Sequence, residues 1–368
     1  MKIPAELLPT DGRFGSGPSK VRVEALDALA ATGAALMGTS HRQAPVKDLV
    51  GSVREGITEL LSVPDGYEVV LGVGGATAFF DAATFGLIRS KSQHLVHGEF
   101  TAKFAKSVMA APFLDKPSLI ESGFDTHPAQ VAEAGVDTYV WAHNETSTGV
   151  MVPVERVAGA DDGALVVVDG TSSAGGLALD VTQTDVYFFA PQKALASDGG
   201  IWLAIFSPAA IARAEEVKAS GRYIPPFFDL MTAIDNSRKN QTYNTPGLAS
   251  LFLIDQQLRW INEQGGLEWA TKRTADSAAR LYEWAEASAF ATPFVTNPDE
   301  RSHVVGTIDL EGVEASAVTA VLRDNGVVDV DGYRGLGRNQ LRVAMFPAID
   351  PDDITKLTSA IDWVVGNL

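Results

Sequence analysis

The segment that decides the fold spans residues 164–193 and reads ALVVVDGTSSAGGLALDVTQTDVYFFAPQK. It contains two apolar runs, Ala164–Val168 and Val186–Phe189. Runs that are apolar throughout, rather than alternating with polar residues, are typical of strands covered on both faces of a sheet. The 24 positions from Asp169 to Lys193 match one αβ crossover, so the segment predicts two consecutive strands of a wound sheet.

Similar short runs of β-branched and aromatic residues lie on both sides of this segment, between about residues 65 and 206. They alternate with stretches of helical or loop character, which indicates a mostly parallel sheet wound with helices. The chain is therefore predicted to be an α/β protein. The remaining strand predictions are Glu68–Leu71, His94–His97, Thr138–Ala142 and Ile201–Phe206.

The order of predicted strands and helices changes near Leu267. From there to the C-terminus the sequence predicts a smaller α+β domain. Asp350 and Pro351 are typical start signals for its last helix. We predict a large domain at residues 14–258 and a small domain at residues 259–368 that packs with an N-terminal arm, residues 1–13. The predicted elements of the tail are helix Leu267–Glu286, strand Val304–Leu310, helix Ala315–Asn325, strand Gln340–Phe346 and helix Asp353–Val365.

The charge balance and the composition exclude several classes of protein. The 368 residues carry 29 Lys and Arg against 46 Asp and Glu, a net charge of −17. Nucleic acid and anionic membranes favour a basic face, so we expect neither as a partner. The absence of cysteine excludes disulfides, thiolate zinc sites and a cysteine nucleophile. The histidines lack metal-ligand spacing, and no stretch resembles a signal peptide or membrane span, so we expect no metal and a cytoplasmic location.

Chemically useful side chains follow several predicted strands. Ligands of open α/β sheets gather beyond the carboxyl ends of the strands. One strand is followed by Gly74-Gly75-Ala76-Thr77, a turn before a helical run whose backbone N–H groups could hold an anion. Phe100, Asp169 and Lys193 follow other strands. Taken one at a time, each feature also has a structural explanation. The glycine-rich segment could be a plain turn and Phe100 a core residue. Asp169 could cap a helix, and Lys193 could be a solvated lysine.

The combination of these side chains fits pyridoxal phosphate. That cofactor needs a Schiff-base lysine, an acid at its pyridine nitrogen, an anion site and a ring to stack on. The alternative is a dinucleotide-binding Rossmann protein, or a non-catalytic binding module, that uses the glycine-rich turn alone. Glu99 could then serve as a ribose-binding acid, but this alternative explains neither Lys193 nor Asp169.

Six short motifs, spread over nearly the whole chain, carry a family resemblance. They are Ser16-Gly17-Pro18-Ser19, Gly38-Thr39-Ser40-His41-Arg42, Gly74-Gly75-Ala76-Thr77, Asn144-Glu145-Thr146, Ala190-Pro191-Gln192-Lys193 and Tyr243-Asn244-Thr245-Pro246. In kind and order these motifs resemble those of the phosphoserine aminotransferases, class-V enzymes that depend on pyridoxal phosphate, and above all their actinobacterial branch. The resemblance implies the fold type I of such enzymes, with a seven-stranded-type sheet in the large domain.

The resemblance also implies roles for residues around the cofactor ring. Lys193 would form the Schiff base, with Gln192 beside it, and Asp169 would pair with the pyridine nitrogen. Phe100 would stack on the ring, where many relatives have tryptophan. Thr146 would bond the ring oxygen.

For the cofactor phosphate, the resemblance implies ligands from two subunits. Ala76 and Thr77 would hold it, although many relatives have arginine at the second position, so this chain has a less charged site. Asn244 and Thr245 would reach the phosphate from the partner subunit. The implied assembly is a homodimer with shared active sites.

For the substrate, the resemblance places His41 and Arg42 at the phosphate and Arg342 at the α-carboxylate, a task that suits the guanidinium fork. Many relatives also carry a His-Arg pair six residues before that arginine, where this chain has leucine. Arg334 and Arg338 flank the place. Either could contact the phosphate, and either could simply face solvent.

The implied reaction is the reversible transfer of the amino group of L-glutamate to 3-phosphohydroxypyruvate. It yields O-phospho-L-serine and 2-oxoglutarate and serves serine biosynthesis. Whether 4-phosphohydroxythreonine is also used, in pyridoxine biosynthesis, stays open. Another aminotransferase on the same scaffold, such as serine–glyoxylate aminotransferase, has less use for His41 and Arg42, and a cysteine desulfurase needs a cysteine that this chain lacks.

Overall fold

The computed structural model describes residues 1–368, and a seven-stranded sheet forms its centre. The first nine strands include this sheet and a separate two-stranded ribbon, β5 with β6. In chain order they are β1 (Glu68–Val73), β2 (Ser92–Val96), β3 (Ser118–Glu121), β4 (Thr138–Ala142), β5 (Asn144–Glu145), β6 (Val150–Met151), β7 (Leu165–Asp169), β8 (Val186–Phe189) and β9 (Ile201–Phe206).

The order of strands across the large sheet is β1-β9-β8-β7-β4-β2-β3. Strand β9 runs antiparallel to both of its neighbours, while the other four pairings are parallel. The predicted mostly parallel, seven-stranded sheet is therefore confirmed. All six strands predicted between residues 65 and 206 overlap observed strands, with ends that differ by at most two residues.

Helices cover both faces of the sheet. The helices of the whole chain are α1 (Val23–Ala31), α2 (Ala44–Leu60), α3 (Gly75–Gly86), α4 (Glu99–Met109), α5 (Pro208–Ala219), α6 (Leu230–Ser237), α7 (Leu248–Gln264), α8 (Gly266–Ala287), α9 (Ala315–Asp324) and α10 (Pro351–Val365). Of these, α9 and α10 pack in the C-terminal unit and not on this sheet. On one face Val53 of α2 and Leu258 of α7 join the core. On the other face the core contains Phe79 of α3, Phe104 of α4 and Phe188 of β8. This burial explains why the strands are apolar throughout.

The crossover from β7 to β8 differs from the sequence prediction because it contains no α-helix. Turns follow Asp169, and the only helical residues before β8 form a short 3₁₀ turn at Val181–Gln183. A side chain at Gly170 would place its Cβ 2.3 Å from Tyr187 Cζ, so the chain passes close over the neighbouring strand. The glycines and hydroxyl residues of this stretch favour turns over a helix.

The C-terminal part of the chain forms a second layered unit. The antiparallel strands β10 (Ala291–Pro293), β11 (Val305–Leu310) and β12 (Gln340–Ala344) pack with α8 and α10. Ile3 and Phe14, from the start of the chain, join this core. Asp350 accepts a hydrogen bond from Asp352 N, as expected for a cap. The domain bounds 14–258 and 259–368 stay predictions, since α7 runs across residue 258. No helix has the length and apolar character of a membrane span.

Candidate active site

A cavity of about 410 Å³ lies beyond the carboxyl ends of the parallel strands β4, β7 and β8. It collects side chains from distant parts of the chain, including eight of the twelve residues predicted for the site. These eight are Ala76, Thr77, Phe100, Thr146, Asp169, Gln192, Lys193 and Arg342.

Lys193 is buried in this cavity, close to a hydroxyl and an aromatic ring. Its Nζ donates a 2.6 Å hydrogen bond to Thr146 Oγ1 and lies 5.0 Å from the centre of the Phe100 ring. Burial lowers the pKa of Lys193 to about 8, while the negative charges of Asp169 and Glu145 act in the opposite direction. The lowered pKa raises the share of neutral amine, which is the nucleophilic form.

Asp169 ends β7 and brings a buried carboxylate into the same cavity. Its Oδ1 accepts a 2.8 Å hydrogen bond from Thr171 N, while the other oxygen accepts none from the protein. Burial raises the pKa of Asp169, and the hydrogen bond from Thr171 and the charge of Lys193 oppose this effect. A buried carboxylate with one free oxygen is suited to pair with a protonated ring nitrogen.

The glycine-rich turn between β1 and α3 forms an anion cradle. Gly74 and Gly75 have φ of 114° and 71°, in the region that glycine adopts most easily. Because α3 begins at Gly75, the N–H groups of Ala76 and Thr77 have no partner within the helix and can hold an anion at its positive end. Lys103 donates a 3.1 Å hydrogen bond to Thr77 Oγ1, which adds positive charge beside the cradle.

Arg342 also lines the cavity, where it stacks on an aromatic ring. Its guanidinium carbon lies 5.1 Å from the centre of the Tyr333 ring, and Nη1 donates a 3.3 Å hydrogen bond to the carbonyl of Thr146. Its Nε is buried and has no partner in the protein. The side chain thus has a fixed direction and a spare donor for a carboxylate.

Several buried polar atoms of the cavity wall have no hydrogen-bond partner in the protein. They are Ser16 Oγ, Asn144 Oδ1, Thr171 Oγ1, Gln192 Oε1 and Arg342 Nε. Buried polar atoms are nearly always paired, so this set indicates a polar ligand. With the Phe100 face, the Asp169 carboxylate, the Lys193 amine and the anion cradle, the cavity fits pyridoxal phosphate.

The other four predicted residues do not line the cavity of their own chain. Instead they form a separate polar cluster, in which Thr245 Oγ1 lies 3.2 Å from His41 Nδ1 and Arg42 donates to Gln241. Asn244 is exposed beside Thr245. The structure therefore brings these four residues together, but not with the other eight.

A second cavity, of about 860 Å³, adjoins the first and distinguishes the two flanking arginines. Both cavities share Tyr333 and Arg342, and Arg334 lines the second one without an ion-pair partner. Arg338 instead pairs with Asp309, with Nε 3.1 Å from Oδ1, and lines neither of these cavities. Of the two arginines, Arg334 is the one next to the site.

Sequence reasoning assigned no role to four residues that the structure places at the site. Ser16 and Asn144 lie in the quoted motifs, which is the signal that could have identified them. Lys103 lies one helical turn after Phe100, but its contact needs the neighbouring α3. Nothing in the sequence indicates that Tyr333 packs on Arg342.

His143 and the serines after Asp169 lie behind the cavity wall or support it. His143 is buried, and its Nδ1 lies 3.2 Å from Tyr187 Oη, as expected for a core histidine. Ser172 Oγ accepts a 2.8 Å hydrogen bond from Asn144, and Ser173 Oγ lies 2.8 Å from Tyr187 Oη. Both contacts are typical of structural support.

Comparisons with known proteins identify the family of the chain. The family model for aminotransferase class V matches residues 14–336. A phosphoserine aminotransferase of Nocardioides sp. is 64% identical over 370 residues, covering 100% of this chain and 99% of the relative. A putative phosphoserine aminotransferase of Mycobacterium leprae is 59% identical, covering 100% and 98%.

Solved structures show the same fold at low sequence identity. The phosphoserine aminotransferase of Cytophaga hutchinsonii superposes with a TM-score of 0.88 at 22% identity, covering 96% of this chain and 99% of that one. The phosphoserine aminotransferase of Trichomonas vaginalis, solved with pyridoxal phosphate bound, gives 0.80 at 19% identity, covering 96% and 99%. These matches leave no room for the dinucleotide-binding alternative. The chain belongs to the phosphoserine aminotransferases of aminotransferase class V, a family that depends on pyridoxal phosphate.

Proposed function

We propose that the chain transfers the amino group of L-glutamate to 3-phosphohydroxypyruvate, giving O-phospho-L-serine and 2-oxoglutarate. One observation carries this proposal: a buried lysine, a buried carboxylate and an arginine with an unpaired donor share one cavity, namely Lys193, Asp169 and Arg342. The reaction contributes to serine biosynthesis, and we place the enzyme in the cytoplasm.

The residues of the cavity divide the work of amino transfer among them. When bound, pyridoxal phosphate supplies an electron sink for the negative charge that develops at the substrate's Cα. Asp169 keeps a proton on the pyridine nitrogen, and Phe100 supports the face of the ring. Lys193, as the free amine, would move the proton from Cα to the C4′ carbon of the cofactor within the first half-reaction, and would move a proton in the opposite direction, to Cα of the keto acid, in the second. Arg342 binds the α-carboxylate and thereby points Cα toward Lys193.

We assign the substrate's phosphate to Arg334 together with His41 and Arg42. Arg334 lines the cavity that adjoins Arg342 and forms no ion pair, although Glu99, Asp329 and Asp331 also line this cavity. Arg338 is less suited because Asp309 already pairs with it. Charged hydrogen bonds of this kind can also accept the side-chain carboxylate of L-glutamate, which binds to the same site in the other half-reaction.

We further propose a homodimer in which Asn244, Thr245, His41 and Arg42 reach the cavity of the partner subunit. The support is that these four residues cluster together although they are up to 204 positions apart, and yet lie outside their own chain's cavity. In such a dimer, each active site is incomplete without the other chain.

A panel of amino acceptors tests the proposed function. The purified enzyme, loaded with pyridoxal phosphate and supplied with L-glutamate, is given 3-phosphohydroxypyruvate, glyoxylate or oxaloacetate, and 2-oxoglutarate is measured. We expect kcat/KM to be highest for 3-phosphohydroxypyruvate by at least about a hundredfold, because a site built for a phosphate loses its charged hydrogen bonds with the other acids. A preference for glyoxylate would favour the serine–glyoxylate alternative. Adding 4-phosphohydroxythreonine as the amino donor tests the pyridoxine branch.

A further inference from the structure

The first turn of α4 is held by a carboxylate that lies outside the cavity. Glu145 is fully buried, and its Oε2 accepts hydrogen bonds from Phe100 N at 3.1 Å and Thr101 N at 2.9 Å. Its Oε1 accepts from Ser147 N at 3.1 Å and Ser147 Oγ at 2.7 Å. Since all of these partners donate, the side chain acts as an acceptor only, as a carboxylate does.

The same contacts extend to the start of the helix. Ser147 Oγ accepts a 3.1 Å hydrogen bond from Glu99 N, so the N–H groups of the first three helical residues are all satisfied by Glu145 or through Ser147. These N–H groups have no partner within a helix, and a negative charge there is favourable. A side chain at Gly98 would place its Cβ 2.3 Å from Glu145 Cγ, which explains the glycine before the helix.

The position of this carboxylate connects two parts of the cavity. Phe100, the second residue of α4, provides the aromatic face, and Thr146, the residue after Glu145, bonds the Lys193 amine. Glu145 is therefore linked to both parts, through the backbone N–H of Phe100 and through its peptide bond to Thr146. A side chain held in this way can fix the relative position of the two cavity walls.

We propose that Glu145 is a positioning residue that sets the orientation of the Phe100 ring over the cofactor site. It acts through the first turn of α4 rather than through contact with cofactor or substrate. This inference rests on the proposed function only in requiring that pyridoxal phosphate bind in the cavity beside Lys193.

The test uses Glu145→Gln, which keeps the shape of the side chain but replaces one acceptor oxygen by an NH₂ group. Because both oxygens of Glu145 accept hydrogen bonds, this NH₂ group must face another donor. We expect the dissociation constant of pyridoxal phosphate to rise about tenfold, since an unsatisfied buried donor is costly. The visible circular dichroism of the bound cofactor should also change, because it reports the asymmetric surroundings of the ring. Binding is measured by equilibrium titration of the apoprotein, without turnover.

Asp137→Asn is the matched control. Asp137 also accepts hydrogen bonds from three successive backbone N–H groups, those of Arg89, Ser90 and Lys91, but it lies before β4, at the opposite end of the sheet. We expect this variant to lower the melting temperature while leaving cofactor affinity and the visible circular dichroism as in the wild type.

A double-mutant cycle with Phe100→Ala identifies the route of the effect. If Glu145 acts through the ring, Glu145→Gln should weaken cofactor binding strongly in the wild type but by less than about twofold once the ring is gone. Equal weakening in both backgrounds, or unchanged binding in Glu145→Gln, would overturn the inference. Should Glu145→Gln fail to fold, Ser147→Ala removes the Glu99 contact more mildly and must show the same dependence on Phe100. Failure of the wild type to bind pyridoxal phosphate would instead reject the proposed function.

Discussion

The amine of Lys193 is tuned by its surroundings, and its titration gives a prediction. The pKa of Lys193 is lowered from 10.5 to about 8 by burial, so the neutral fraction rises through pH 8 rather than through pH 10.5. Only the neutral amine attacks an aldehyde. The rate at which the apoprotein attaches pyridoxal phosphate, followed by visible absorbance, should therefore increase with pH and level off above about 8. A rate that is still rising steeply at pH 10 would contradict the lowered pKa.

Arg334 and Arg338 form a natural pair of variants. Arg334→Gln should raise KM for 3-phosphohydroxypyruvate at least about tenfold, because it removes a charged hydrogen bond to the phosphate. Arg338→Gln should leave KM near the wild-type value and only remove the ion pair with Asp309. Steady-state kinetics with fixed L-glutamate measures both. The assignment fails if Arg338→Gln has the larger effect on KM.

Single residues show which parts of the site a sequence can and cannot predict. Asp169 and Lys193 follow apolar strands, and the parallel order of a wound sheet brings such strand ends together. Arg342 and Tyr333 meet only because the chain folds back at Asp331, which pairs with Leu341. A contact of this kind depends on tertiary structure and leaves no periodic signal.

At the scale of elements, the buried strands were predictable, while the edge strand β3 and the form of one crossover were not. The buried strands carry unbroken apolar runs, such as Ile201–Phe206. Strand β3 is an edge strand of four residues that are half-buried or exposed, so it lacks this signal. The crossover after β7 has the length of an αβ unit, but its glycines favour turns, and length alone could not reveal this difference.

The turn before α3 allows a test at the same scale. Gly75→Ala places a methyl group at φ 71°, which costs about 1–2 kcal/mol, and it also adds that methyl group next to the anion cradle. Gly163→Ala is the control, because Gly163 has φ 77° and open space around its Cα but lies away from the cavity. Both variants should lower the melting temperature of the apoprotein to a similar degree.

Cofactor titration then separates the two glycine variants. Only Gly75→Ala should weaken the binding of pyridoxal phosphate, because only this methyl group approaches the N–H groups of α3. Equal cofactor affinity in Gly75→Ala and Gly163→Ala would mean that the phosphate binds elsewhere.

At the scale of the whole molecule, the net charge of −17 does not by itself decide which ligands bind, because Lys193, Arg334 and Arg342 line the cavities together with acidic residues. The positions of individual charges, rather than their sum, determine the field at each point of a cleft with low-dielectric walls. The polar cluster of His41 and Thr245 lies outside this region of its own chain, and this is the feature that a single sequence cannot place. The proposed dimer accounts for it.

Mixing two inactive variants tests whether active sites are shared. Lys193→Ala lacks the amine, and Arg42→Ala lacks a ligand that we assign to the partner's cavity. If subunits exchange at random, half of the dimers are mixed and each has one intact site, so about a quarter of the wild-type activity should return. Activity is assayed after mixing, denaturing and refolding the two variants together. No recovery, with each variant correctly folded, would place Arg42 in the site of its own chain.

The most direct test of the central claim is the visible spectrum of the purified enzyme with pyridoxal phosphate. L-glutamate is added first and 3-phosphohydroxypyruvate second, with Lys193→Ala treated in parallel. We predict that the absorbance band of the lysine-bound cofactor disappears with L-glutamate and returns with the phosphorylated keto acid, and that Lys193→Ala never shows this band. A wild-type band that L-glutamate removes and 3-phosphohydroxypyruvate fails to restore would contradict the proposed reaction.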